Sequence, residues 1–214
     1  MPNWCYNSLC VSGNKEILAD FVSKTLVPRN MSSEEEYDES HNFTFSILHP
    51  LPKALEGGTS PLPKLEGEDD TQYKERMAKN LLLYGAEDWY NWNIHNWGTK
   101  WDASSTCIEE LDDNNFDLKF NTAWSPPIDW FEKIIPMYPQ LEFNLIFDEE
   151  SQDYCGRMTG REGEIDLQVG KPYFTDHEEK RVIYDMSKGK WKYEDSGELI
   201  EDEDFYPYDV NPFA

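Results

Sequence analysis

The residue types able to do chemistry are concentrated in one stretch, His95–Asp102, which reads HNWGTKWD. His95 and Asp102 form an acid–base pair if the chain turns them toward each other, since histidine exchanges its proton near neutral pH. Between them, Asn96 and Lys100 offer an amide and an ammonium, and Trp97 and Trp101 two large rings. Trp124, in FNTAWSPP, is the ring expected beside them. An indole needs a packed site and a partner for its N–H. Three of them around Gly98 and Pro126-Pro127 therefore predict a built corner docked on the Phe120–Pro127 strand. Two chemistries fit the corner: catalysis by His95 and Asp102, or ligand binding by Trp97, Lys100, Trp101 and Trp124. No nucleophile elbow, phosphate loop or HExxH accompanies them. That favours a structural use, in which Asn96, Lys100 and Asp102 satisfy backbone and indole N–H groups at a buried turn.

Neither a metal nor a cofactor is expected. His41, His49, His95 and His177 are far apart and lack a second ligand at i+3 or i+4. The acidic runs lack the Asp/Asn–Gly–Glu spacing of a calcium loop. Cys5, Cys10, Cys107 and Cys155 form no CxxC pair, and Cys5 and Cys10 fall on opposite faces of one strand. Such thiols read as small hydrophobes rather than as zinc or iron–sulfur ligands.

Charge decides what the surface can do. The chain has 43 acidic against 19 basic residues, for a net charge of −24 over 214 residues. That balance repels phosphate, so direct nucleic-acid binding is not expected. A basic protein surface is the natural counterpart. Aromatics at 14% supply a core, which excludes a wholly disordered acidic chain. No apolar run is long enough to span a bilayer and Met1–Cys10 does not read as a signal peptide, so no membrane partner and a cytoplasmic location are expected.

The positioning elements follow from periodicity. Asn3–Gly13 alternates as a strand, with a face change expected between Tyr6 and Leu9. Ile17, Leu18, Phe21 and Val22 recur at helical spacing, and Asn14 or Ser12 caps the helix. His41–Leu48 (HNFTFSIL) alternates as a second strand, with Phe43, Phe45 and Ile47 on one face. Leu51–Asp70 is a Pro- and Gly-rich loop, Thr71–Leu83 and Glu87–Ile94 are helical, and Cys107–Leu111 and Phe116–Thr122 are strands. Ser125 caps a helix through Met137 with proline in its first turn. Leu141–Phe147 is a strand, a hairpin turns at Arg161-Glu162, and a second hairpin joins Arg181–Tyr184 to Lys190–Tyr193. The order predicts an α+β, ferredoxin-like split β-α-β sheet with helices on one face. A domain over 1–169 carries a Trp-rich helical insertion at about 49–115, and an acidic extension covers 170–214. The rings of Trp4, Tyr6, Phe43, Phe45, Phe120 and Trp124 are expected as core rather than as a base-stacking face.

Four ordered motifs carry a resemblance: MPNWCYNSLCVSGN, LHPLPKAL, NWGTKWD, and FNTAWSPPIDWFEKIIPMYPQLEFNLIFDEESQDYCGRMTGREGEI. Over about Met1–Asp166 they resemble the YubB-type ferredoxin-like domain of phage and conjugative-plasmid proteins. The resemblance implies the fold and a mobile-element origin, and brings neither a catalytic residue nor a cofactor. Together with the charge it sets the functional expectation: a non-enzymatic protein of the bacterial cytoplasm that binds a basic host protein, inhibiting an antiviral defence complex by nucleic-acid mimicry. The binding residues expected are Glu34, Glu35, Glu36, Asp38 and Glu39, and Glu201, Asp202, Glu203 and Asp204 with Phe205 and Tyr206 as anchors. The alternative is a small enzyme or ligand-binding domain at the His95–Asp102 corner.

Overall fold

A computed structural model of the chain describes residues 3–28, 41–57, 59–149, 154–170, 174–175, 180–185, 190–193 and 195–201. The chain opens with strand β1 (Trp4–Gly13), helix α1 (Lys15–Thr25) and a short strand β2 (Leu26–Pro28), which pairs with β3 (His41–Phe43). Helices α2 (Asp70–Tyr84) and α3 (Trp89–Trp97) follow, then strands β4 (Ser104–Leu111) and β5 (Asn115–Ala123). Helix α4 (Ile128–Ile134) leads to β6 (Leu141–Glu149), β7 (Tyr154–Arg161) and β8 (Glu164–Gly170). Strands β9 (Phe174–Thr175), β10 (Arg181–Asp185) and β11 (Lys190–Tyr193) form a separate small sheet.

The main sheet runs β4-β5-β1-β6-β7-β8, and every neighbouring pair is antiparallel. Its first four strands have the ferredoxin-like order, with β1 central and the β4–β5 hairpin beside it. The β7–β8 hairpin, turning at Glu162-Gly163, extends that sheet past β6. Strand alternation divides the residues cleanly. Leu9, Val11, Phe116, Leu118, Phe120, Leu141, Phe143, Leu145 and Phe147 lie buried together with Leu18 and Phe21 of α1 and Trp130, Phe131 and Ile134 of α4. Trp4, Tyr6 and Lys119 belong to the other, open face.

Two close approaches fix the sheet. A β-carbon on Gly156 would sit 2.1 Å from Phe147 Cζ, so only glycine lets that ring cross its partner strand. Asn7 takes an inward position of β1 yet is buried, because its amide donates to Cys5 O at 3.0 Å, Phe120 O at 3.3 Å and Thr122 Oγ1 at 2.9 Å. The predicted face change in β1 is therefore absent: the pairing with β5 and β6 runs unbroken, and a satisfied buried amide interrupts only the apolar alternation.

Three further expectations are corrected. The second strand of the split β-α-β unit is β4, not His41–Leu48. After Phe43 the chain turns, and Ile47 is 48% exposed rather than aligned with Phe43 and Phe45. Side chains take the polar groups a ladder would need: Phe45 donates its N–H to Asp102, while the indoles of Trp130 and Trp97 donate to the carbonyls of Phe45 and His49 at 3.1 and 2.9 Å. Ser125 does not cap α4. Pro127 holds the cap position without a side-chain bond, and the Ser125 hydroxyl donates to Gly98 O instead.

Candidate functional site

The site is built by the turn out of α3. Asp88 starts that helix, its Oδ1 accepting the Asn91 N–H at 2.9 Å and the Asn91 amide at 3.1 Å, while Oδ2 accepts the Ser60 hydroxyl at 2.7 Å. Gly98 ends it in the left-handed region at φ 81°, where a β-carbon would lie 2.8 Å from Asp129 Oδ2. The next residues dock on the end of β5: Thr99 Oγ1 donates to Ala123 O and the Asn93 amide to Lys100 O, both at 2.9 Å. The corner anticipated between NWGTKWD and FNTAWSPP therefore forms.

Its rings divide into two sets. Trp97 is buried beside Phe45, and Trp92, with its ring 5.1 Å from that of His49, is buried too. His49 completes this inner layer through a 3.1 Å bond between Nε2 and Asn96 Oδ1. The outer set is half exposed: Trp4 at 36%, Tyr90 at 37%, Trp101 at 39% and Trp124 at 41%. Trp4 and Trp101 stand 6.5 Å apart. Trp124 adopts φ 74°, a left-handed conformation costing a non-glycine residue about 1–2 kcal/mol. Its backbone N–H donates to Asn3 O at 2.9 Å, and Thr122 Oγ1 donates to Ser125 O at 2.8 Å.

Three of the outer rings, Tyr90, Trp101 and Trp124, border an open groove of about 590 Å³, lined also by Thr59, Ser60, Trp89 and Lys100. The Lys100 ammonium lies 4.6 Å from the Trp101 ring centre and 5.7 Å from that of Tyr90. The Trp89 indole N–H is buried without a hydrogen-bond partner. The arrangement is one of flat faces, an ammonium and donor groups. It has the equipment to stack and to hold charge, and the Ser60 hydroxyl at its edge is bonded to the Asp88 carboxylate.

His95 and Asp102 do not meet. Asp102 is spent on the turn after Phe43: Oδ1 accepts from the backbone N–H groups of Phe45 and Ala103 at 2.7 and 2.9 Å, and Oδ2 from the hydroxyls of Thr44 and Ser46 at 2.6 and 3.1 Å. His95 is exposed on α3 and makes no bond to it among the described residues. Of the acidic candidates, Glu201 is exposed and ion-paired with Lys190. Glu34, Glu35, Glu36, Asp38, Glu39, Asp202, Glu203, Asp204, Phe205 and Tyr206 lie outside the described residues. Among the described residues no three His, Cys, Asp or Glu side chains gather as a metal site. Trp89, Tyr90 and Ser60 were missed from the sequence. The usable signal was Asp88, whose cap starts α3 and thereby turns Trp89 and Tyr90 to the same end as Lys100.

A second hollow, about 290 Å³, lies on the open sheet face between Arg157, Thr159, Arg161, Asp166 and Gln168. Its polar groups satisfy one another or their neighbours: Arg157 Nε donates to Asn144 Oδ1 at 2.7 Å, Arg161 to Glu142 at 3.1 Å and Gln168 to Asp166 at 3.0 Å.

The comparisons bear on the sheet and the corner together. Residues 96–187 match the family model of a ferredoxin-like domain in Api92-like protein. The matched region opens at Asn96, the corner itself, and continues through the sheet strands β4 to β8. The chain is also similar to the crystal structure of Api92 from Yersinia pseudotuberculosis, at 11% identity with a TM-score of 0.48, over 80% of this chain and 98% of that one. No curated protein matches it. No helix among the described residues is long and apolar enough to cross a membrane.

Proposed function

We propose that the chain is a non-enzymatic binding protein whose partner presents a basic protein surface. The observation that carries this reading is the row of half-exposed rings, Trp4, Tyr90, Trp101 and Trp124, on a chain of net charge −24. Carboxylates steer a cationic surface into encounter, and indoles that bury on contact supply the anchoring energy. The YubB-type motifs support an origin in a phage or conjugative plasmid. A partner within the bacterial cytoplasm that normally holds nucleic acid, such as a component of an antiviral defence complex, fits an acidic mimic of that nucleic acid. The blocks Glu34–Glu39 and Glu201–Asp204 supply the densest charge.

The test is retention from bacterial lysate on the immobilised chain, at low and high salt and with duplex DNA as competitor, followed by mass spectrometry. The expected result is a basic nucleic-acid-binding protein that is held at low salt, released by DNA or by salt near 0.5 M, and lost on Trp101→Ala/Trp124→Ala. No retention, or retention indifferent to salt and DNA, overturns the reading.

A further inference from the structure

Lys100 is set apart by what it rests on: Lys53, Lys74, Lys79 and Lys133 also lack a carboxylate partner among the described residues, but Lys100 lies over two aromatic rings. Carboxylates outnumber cations more than twofold, and Lys15, Lys24, Lys119 and Lys190 each pair with one, on Asp113, Asp20, Glu109 and Glu201. Lys100 does not. Among the described residues its ammonium has no carboxylate partner, and it rests instead over Trp101 and Tyr90. An ammonium over an aromatic face is held by the ring's quadrupole, by about 0.5–1 kcal/mol where water still reaches it. A negative group stands behind the wall as well. Asp88 is 2% exposed and bonded to Ser60 and Asn91, with no cation against it among the described residues. The Asp88 carboxylate is engaged by the α3 N-terminus and Ser60, so it is the aromatic faces turned to the groove that suit the groove to positive charge.

We infer that the groove is a cation cage and that Lys100 is its resident placeholder, displaced when an arginine or lysine side chain of the partner enters. This deepens the proposal of a basic partner and rests on it. The backbone around Lys100 is fixed by Thr99 and Asn93, while its four-carbon stem is free to swing out. The groove's open space, about 590 Å³ beside Lys100, has room for a second long side chain. Arginine is the favoured occupant, because a guanidinium is less strongly hydrated than an ammonium and stacks flat on an indole. A placeholder weakens the apparent affinity for every entering cation by the same factor, set by the fraction of time the cage is vacant.

The test uses two small probes, N-acetyl-arginine amide and tetramethylammonium chloride, titrated into the full chain at constant ionic strength. The readout is the indole N–H resonances of Trp101 and Trp124. Saturable shifts are expected for both probes, and Lys100→Met should tighten binding about two- to fivefold, the value of the contact it removes. Lys100→Gln should do the same, so a folding defect in one variant does not hide the effect. Trp101→Ala should abolish the shifts while the far-ultraviolet spectrum is kept. Absence of saturable shifts overturns the inference. So does weaker binding in both Lys100 variants, or Lys100-dependent binding of acetate or phosphate, which would make the groove an anion site. Capture of a basic protein from lysate can succeed or fail independently of these small probes, so the two readings fall separately.

Discussion

Asp102 Oδ1 accepts the backbone N–H of Phe45 at 2.7 Å, tying the residue that follows the Trp-rich turn to a chain segment that would otherwise run on as a strand. The same carboxylate takes the Ala103 N–H and the hydroxyls of Thr44 and Ser46. Removing it orphans two backbone donors next to a fully buried ring, each worth about 1–3 kcal/mol. Asp102→Ala should therefore lower the unfolding free energy by about 3 kcal/mol, and Asp102→Asn by less, since the amide oxygen still accepts. His95→Ala, at an exposed position, should stay within about 0.5 kcal/mol. Urea unfolding of the three variants checks this. Equal stability of Asp102→Ala and the parent would remove Asp102 as the organiser of the turn.

Gly156 and Phe147 make the second prediction. They are cross-strand partners, and a β-carbon at Gly156 would overlap Phe147 Cζ at 2.1 Å and lie 2.7 Å from Gln168 O. Gly156→Ala should cost about 3 kcal/mol, at the upper end for overpacking, because backbone stands on one side of the clash. Phe147→Leu in the same chain should recover part of that loss. A double-mutant cycle by thermal unfolding reads the coupling, and simple additivity would show that the ring yields without cost.

The sheet was legible because its code is local. Period-two alternation in β1, β5 and β6 and helical spacing in α1 each bury a whole face, and those patterns predicted the ferredoxin-like order. Phe43, Phe45 and Ile47 carried the same alternation, yet only Phe43 ends in a strand. What overrode the pattern was non-local: Asp102, Trp97 and Trp130 take the hydrogen bonds of that segment from far along the chain. The corner was legible as a cluster of costly residues around Gly98. The division of its rings was not. Trp97 is buried and Trp101 half exposed because α3 ends between them, and an indole's spacing does not say which side of a helix stop it falls on.

A pH dependence follows from Glu68 and Arg76. Two guanidinium bonds, both 2.8 Å, hold the Glu68 carboxyl down to about 2 from an ordinary 4.5, with the Leu65 N–H adding to the effect. Because the folded value is the lower one, the stabilisation is complete above about 4.5 and is lost as the pH falls toward 2. Arg76 also donates to Pro63 O, so this pair ties α2 to the preceding loop. Amide protection in α2, corrected for the intrinsic slowing of exchange in acid, should fall between pH 5 and pH 3 more than protection in the sheet does. Glu68→Gln should remove that difference. A pH response unchanged in Glu68→Gln would assign it to other carboxylates.

The thiols give the last prediction, and burial decides it. Burial pushes the Cys5 thiol up to about 12 and that of Cys155 to about 11. Cys10 rises to about 11, again chiefly by burial, with the Asp117 carboxylate beside it adding to the rise. Thiolate is the reactive form, so near pH 8 these three are poor nucleophiles, and Cys5 and Cys155 are buried as well. Cys107 is exposed on the outer strand β4, its Cα partner Lys119 already paired with Glu109. Ellman's reagent near pH 8 should therefore release about one equivalent quickly from the native chain, and the remainder only in denaturant. Cys107→Ser should abolish the fast phase. A fast phase that survives in Cys107→Ser would mean that the half-buried Cys10 is reached from the open face.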